Sequence, residues 1–180
     1  MHSLHKILVR LNGGHVPVAD PEDSRSVKIS AARSYAVSET ECFYEDAYDW
    51  RETDTAGRWK ADYPENVLLS AENLDRFLAE LEECRKWQNA DISYALQQLK
   101  DVGLNDLDAL VHTIQDSSDK KYYLAPYQLK CLGRLLDGEY FYGSHFYSTE
   151  GYTAKITEAL IEEVKSSPDD WALVMFDLHF

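Results

Sequence analysis

Cysteine, basic side chains and long apolar runs are all scarce in this 180-residue chain. Its cysteines are odd in number and form no CxxC pair, so neither a disulfide framework nor a zinc site is indicated: Cys42, Cys84 and Cys131. No stretch approaches the roughly 18 apolar residues of a membrane-spanning helix, and the N-terminal apolar run is too short for a signal peptide. We therefore expect an unprocessed, cytoplasmic protein that needs no metal and no cofactor.

The charge balance limits the class of partner. Lys and Arg number 18 against 32 Asp and Glu, which gives a formal net charge of -14 at pH 7. Phosphate binding draws its affinity from clustered Lys and Arg, so we expect neither direct nucleic-acid binding nor attraction to an anionic membrane. A basic protein is the expected partner, while the oligomeric state stays open.

Familiar catalytic and nucleotide-binding motifs are absent from the sequence as well. GxSxG and GxGxxG do not occur, and the six histidines have no metal-ligand spacing. We interpret the histidines as surface or hydrogen-bonded core residues, and His145 and His179 could meet in a sheet. The chain is not expected to be an enzyme.

Hydrophobic periodicity predicts an α+β fold. Apolar segments at 6–11 and 171–180 are expected to pair in one small mixed or antiparallel sheet that includes both chain termini. About four to five helices should pack with this sheet, at 24–42, 71–102, 106–115, 125–136 and 157–166. The long helix has a charged outer face that we interpret as solvated. Residues 1–180 form a single domain in this interpretation, with a possible helical lobe at 71–136 and a hairpin near Gly143.

The segment 41–63, ECFYEDAYDWRETDTAGRWKADY, combines carboxylates and large aromatic rings more densely than any other part of the chain. Rings are costly to expose and carboxylates are costly to bury, so one face should lie on the core and the other should meet a partner. The alternation around Tyr48 and Trp50 is typical of a half-buried strand, and Gly57 permits a turn after it.

This segment supplies the predicted partner-binding residues Glu45, Asp46, Asp49, Trp50, Arg51, Glu52, Asp54, Arg58 and Trp59. Aromatic and Arg anchors are enriched at interfaces, and carboxylates steer a basic partner. Because Arg51, Arg58 and Lys60 interrupt the acids, we favour protein recognition over imitation of a phosphate row. Two alternatives stay open. The rings could simply cover the core edge, with Arg51 and Arg58 paired to nearby acids, or Asp49, Glu52 and Asp54 could serve acid–base catalysis in a small enzyme.

The strings DWRETDTAGRWKADYPENV at 49–67 and SPDDWALVMFDLHF at 167–180 resemble small proteins carried on mobile genetic elements of gut Firmicutes. Among such proteins are phage and mobile-element anti-CRISPR proteins that inhibit type II-A effectors. The resemblance covers most of the chain and implies that the protein binds Cas9, a strongly basic protein, and blocks DNA recognition or cleavage. A non-inhibitory accessory protein of the same element is the alternative.

Overall fold

A computed structural model describes residues 1–12, 24–44, 49–101, 125–138, 145–149 and 155–179. These residues form four α-helices and a five-stranded mixed sheet with strands near both ends, so the predicted α+β fold is confirmed. In chain order the elements are β1 His2–Arg10, α1 Arg25–Tyr44, β2 Trp50–Glu52, β3 Val67–Leu69, α2 Leu74–Asp101, α3 Ala125–Asp137, β4 Phe146–Ser148, α4 Glu158–Ser166 and β5 Trp171–His179. The predicted helix at 106–115 and the turn at Gly143 lie outside the described residues.

β1 and β5 form the centre of the sheet. They run antiparallel over their whole length, from His2 opposite His179 to Arg10 opposite Trp171. β5 is buried on both faces, which explains why its sequence is an almost continuous apolar run rather than an alternating one. β4 pairs in parallel with the outer edge of β1, while β2 and β3 lie end to end along the outer edge of β5.

The two faces of the sheet bury two separate cores, because successive side chains of a strand point to opposite faces. On one face the strands pack against α1 through Ile7, Val9, Val174, Phe176, Ile29, Ala32 and Ala36. On the other face they pack against α2 and α4 through Leu8, Leu173, Met175, Phe77, Leu81, Ile161 and Val164. The sheet is therefore the middle layer between α1 and the α2–α4 pair.

α2 is the long helix that the periodicity predicts, and it begins three residues later than expected. The side-chain oxygen of Asn73 accepts a hydrogen bond from the backbone N–H of Arg76 at 3.0 Å, which caps the first turn. The first half of α2 packs on the sheet. Its second half packs on α3, where Ala95 and Leu135 are buried together with help from Ile92 and Leu132.

Asn66 joins the two short edge strands to the rest of the sheet. It is fully buried and has a left-handed backbone φ of +48°, which Asn tolerates better than most residues. Its side-chain amide donates to the carbonyls of Thr53 at 2.9 Å and Met175 at 3.2 Å, and its carboxamide oxygen accepts from Nε of Arg33 at 3.0 Å. β2, β3, β5 and α1 are thereby tied together at one residue.

Candidate functional site

Within the described residues, the acidic and aromatic segment is divided between the end of α1, the edge strand β2 and the turns that follow it. Trp50–Glu52 pairs with the last residues of β5, and the chain then turns at Gly57, whose φ is +52°. Because strand side chains alternate between faces, the predicted binding residues are distributed over different environments. Two of them, Glu45 and Asp46, lie outside the described residues.

The second half of the segment belongs to the core edge. Trp59 and Tyr63 are partly buried and pack against the core under α2. The backbone N–H of Arg58 donates to Oδ2 of the buried Asp177 at 3.0 Å, and Asp177 leaves no room for a Cβ on Gly57. Trp59 is therefore half-buried at the core edge, which is the position that the first alternative describes.

Arg51 and Glu52 are used within the protein. Arg51 lies opposite Leu178 on the α1 face, and its Nη2 is 3.6 Å from Oε1 of Glu41. Oε1 of Glu52 accepts the backbone N–H groups of Asp54 and Thr55, each at 3.0 Å, and closes the turn. Arg51 thus meets Glu41 of α1 on the face of the sheet opposite Glu52.

Trp50 and Asp49 remain on the open side of the edge. The indole of Trp50 is 45% exposed, and its ring meets the edge of the His2 ring at a centroid distance of 5.6 Å. Oδ1 of the exposed Asp49 lies 2.6 Å from Nδ1 of His179. That hydrogen bond holds the pKa of Asp49 below its usual range. Asp54 is exposed too.

A histidine pair beneath Trp50 is the part of this site that sequence patterns did not reveal. His2 Nδ1 lies 2.8 Å from Oδ1 of Asp177, and the rings of His2 and His179 are 4.8 Å apart. His145 and His179 lie apart, because β4 pairs with the edge of β1 that faces away from β5. The ring of His145 instead lies 4.8 Å from that of His5. His2 joins this site through the in-register pairing of β1 with β5, which no local sequence pattern indicates.

The three carboxylates of the enzyme alternative do not converge. Asp49 faces His179, Glu52 closes the turn, and Asp54 points to solvent. A cavity of about 410 Å³ opens beside the segment, but Tyr63, Asn66 and Arg76 are among the residues that line it, and the three acids are not. These three carboxylates therefore do not form an acid and base pair around a substrate pocket.

Comparison with known proteins adds no assignment. No family model matches the chain, and no curated protein or solved structure matches it either. Within the described residues, no group of three or more His, Cys, Asp or Glu side chains could hold a metal ion. The same part of the chain contains no helix that is long and apolar enough to cross a membrane. The functional conclusion therefore rests on the geometry of the sheet edge.

Proposed function

We propose that this protein is a non-enzymatic binding protein that recognises a basic protein through the β2 edge of its sheet. The observation that carries the proposal is the half-exposed indole of Trp50, which is held in place by β5 and by the His2 ring. Exposed rings in a fixed position favour partner binding, and Trp is enriched among the residues that dominate binding energies.

The charges around Trp50 favour a basic partner. In the same segment Asp49, Asp54 and Asp62 are exposed together with Arg58 and Lys60, which leaves one net negative charge, while Arg51 contacts Glu41 on the opposite face of the sheet. The net charge of -14 adds a long-range attraction for a cationic protein. Such complementarity raises the rate of encounter and disfavours acidic competitors.

The concrete partner that we propose is Cas9 with its guide RNA, with inhibition of DNA recognition or cleavage as the result. The support is the resemblance of residues 49–67 and 167–180 to proteins of mobile elements. These two strings are neighbours in the fold, because β2 and β3 both pair with β5. The residues that carry the resemblance thus contribute to one edge of the sheet, where Trp50 is exposed.

A pull-down on immobilised Cas9 with guide RNA, followed by a DNA cleavage assay, tests this proposal. We expect retention of the protein and loss of cleavage, and Trp50→Ala should weaken retention at least about tenfold while leaving the melting temperature nearly unchanged. Tyr127→Ala, which removes another exposed ring, is the matched control.

Unimpaired cleavage in excess protein would reject inhibition of Cas9. If retention persists without inhibition, the non-inhibitory accessory role replaces it. Equal retention of Trp50→Ala and the wild type would reject the β2 edge as the binding surface.

A further inference from the structure

One flank of α2 carries acids and aromatic rings in alternation. With 3.6 residues per turn, six side chains fall within about 40° of a single line along the helix. They are Glu83, Trp87, Asp91, Tyr94, Gln98 and Asp101, and we name this set the acid–aromatic flank. It extends for about 27 Å at 1.5 Å per residue. This row is remote in sequence from the segment 41–63. It belongs to the helix face that the sequence pattern predicts to be solvated.

The two rings of the flank are among the most exposed large side chains in the described residues. Trp87 is 54% exposed and Tyr94 is 66% exposed. The flank lies about 90° around the helix from the buried row of Phe77, Leu81 and Cys84, so the rings stand beside the core rather than over it. Their exposure therefore serves no packing role within the part of the chain that the structure describes.

The charge of the flank has one sign. From Glu83 to Asp101 the flank of this helix contains no Lys or Arg, because Arg85, Lys86 and Lys100 lie at least about 100° away around the helix. Arg85 is bound on that other side by Glu82 at 2.9 Å and by Glu158 at 2.5 Å. Among the described residues, Lys6 of β1 reaches the flank at the end nearest the sheet, where its Nζ lies 3.2 Å from Glu83.

We propose that the acid–aromatic flank is a second docking surface, which binds a Lys- and Arg-rich peptide segment of the partner. This inference rests on the proposed function, in which the partner is basic. An ammonium or guanidinium group binds favourably over the face of Trp or Tyr, and the carboxylates of Asp91, between the rings, and Asp101, beyond them, attract the same groups. A second copy of this chain does not fit, because two acid–aromatic flanks would repel each other.

The spacing of the rings specifies the segment further. Trp87 and Tyr94 are seven residues apart, which is about 10 Å along the helix axis. A peptide in the polyproline II conformation covers that distance in about three residues at about 3.1 Å each, and every third side chain returns to the same side of the peptide. The preferred ligand therefore has basic residues at every third position, so that one cation reaches each ring.

Binding of a fluorescent peptide with Arg at every third position and Ser between them tests the proposal on the full chain. Fluorescence anisotropy should give a Kd that rises about tenfold in Trp87→Ala/Tyr94→Ala, the change expected for two exposed cation–π contacts. Trp87→Phe/Tyr94→Phe keeps both rings and should retain most of the affinity. Asp91→Asn/Asp101→Asn should weaken binding at about 50 mM salt and less at about 300 mM.

The Trp50→Ala variant separates this inference from the proposed function. It should bind the peptide with a Kd within about twofold of the wild type, since the sheet edge is a different surface. If Trp50→Ala loses the peptide while Trp87→Ala/Tyr94→Ala keeps it, the flank is rejected and the sheet edge stands. If the wild type does not bind the peptide at low salt, the flank is rejected, and the pull-down on Cas9 then decides the proposed function by itself.

Discussion

Single buried residues hold the sheet edge on which Trp50 is displayed. Asn66 satisfies the unpaired backbone groups between β2 and β3, and no apolar residue could replace its amide donors and acceptor. His5 in β1 is a second buried polar residue, with its Nε2 3.1 Å from Oγ of Ser3. For each of these two residues we make a specific prediction about the stability of the protein.

Replacing Asn66 by Ala should lower the free energy of unfolding by about 2–4 kcal/mol, because buried donors and acceptors lose their partners and the left-handed φ becomes strained. Asn73→Ala, which removes only the cap of α2, should cost about 1 kcal/mol. Urea unfolding of the two variants measures both values. Equal losses would mean that Asn66 does not hold the edge strands.

His5 should make the protein sensitive to acid. Burial, with the nearby His145 ring adding to it, lowers the pKa of His5 to about 3 from an ordinary value of 6.5. In the unfolded chain His5 takes up a proton below pH 6.5, whereas in the folded state it stays neutral until about pH 3. Stability from this residue is therefore present above pH 6.5 and is lost as the pH falls toward 3.

The measurement is the free energy of unfolding against pH for the wild type and for His5→Gln. The variant should start lower at neutral pH and lose less on acidification. Curves with the same slope between pH 6.5 and 3 would show that His5 titrates in the folded protein as it does in the unfolded chain.

At the scale of elements, a buried ion pair fixes α2 on the sheet. Nζ of Lys6 in β1 donates to Glu80 at 2.6 Å, and the hydroxyl of Tyr63 donates to the same carboxylate at 2.9 Å. Burial by itself would lower the pKa of Lys6, but the neighbouring Cys84 and Glu80 groups outweigh it and raise that pKa. Lys6 thus stays charged at the layer interface, where the direction of α2, and with it the acid–aromatic flank, is set.

Removing one charge of this pair should lower the free energy of unfolding more than removing both charges. Glu80→Gln leaves the ammonium of Lys6 without its main counter-charge and should destabilise the protein by about 3–5 kcal/mol. Lys6→Met/Glu80→Gln removes the charge as well and should recover part of that loss. A double-mutant cycle from urea unfolding measures the coupling, and strictly additive losses would contradict it.

For the whole molecule, the excess of negative charge should affect association and stability in opposite ways. Salt screens the attraction between this protein and a basic partner, but it also screens the repulsion among its own carboxylates. Raising the salt concentration from about 50 to 300 mM should slow association with immobilised Cas9 about tenfold without lowering the melting temperature.

Charge reversal locates the attraction. The charge-reversal variant is Asp54→Lys/Asp62→Lys, which changes two exposed side chains of the segment 41–63. Glu52 is left unchanged because it closes the turn after β2. The control Asp137→Lys/Asp169→Lys alters the net charge equally, with one site on α3 and the other at the opposite end of β5. The first variant should associate more slowly than the control. Equal slowing would mean that only net charge matters.

Much of the fold follows from the sequence by itself. The periodic apolar residues of α2, the apolar run of β5 and the turn chemistry at Gly57 are local signals, and each appears where it was predicted. The acidity of the chain and the concentration of rings and acids at 41–63 are also properties of the sequence. Together they determine the α+β class and the kind of partner that we expect.

Tertiary structure determines which side chains of the segment 41–63 lie on each face of the sheet. Pairing between β2 and β5 turns Arg51 to one face and Trp50 to the other, and a shift of one residue in that register would exchange them. The antiparallel pairing of β1 with β5 brings His2 to His179 across almost the whole chain. The packing of α2 determines which side of the helix is buried and leaves the rings of the acid–aromatic flank exposed. Local sequence patterns determine elements, whereas register and packing between distant strands and helices determine which side chains remain for a partner.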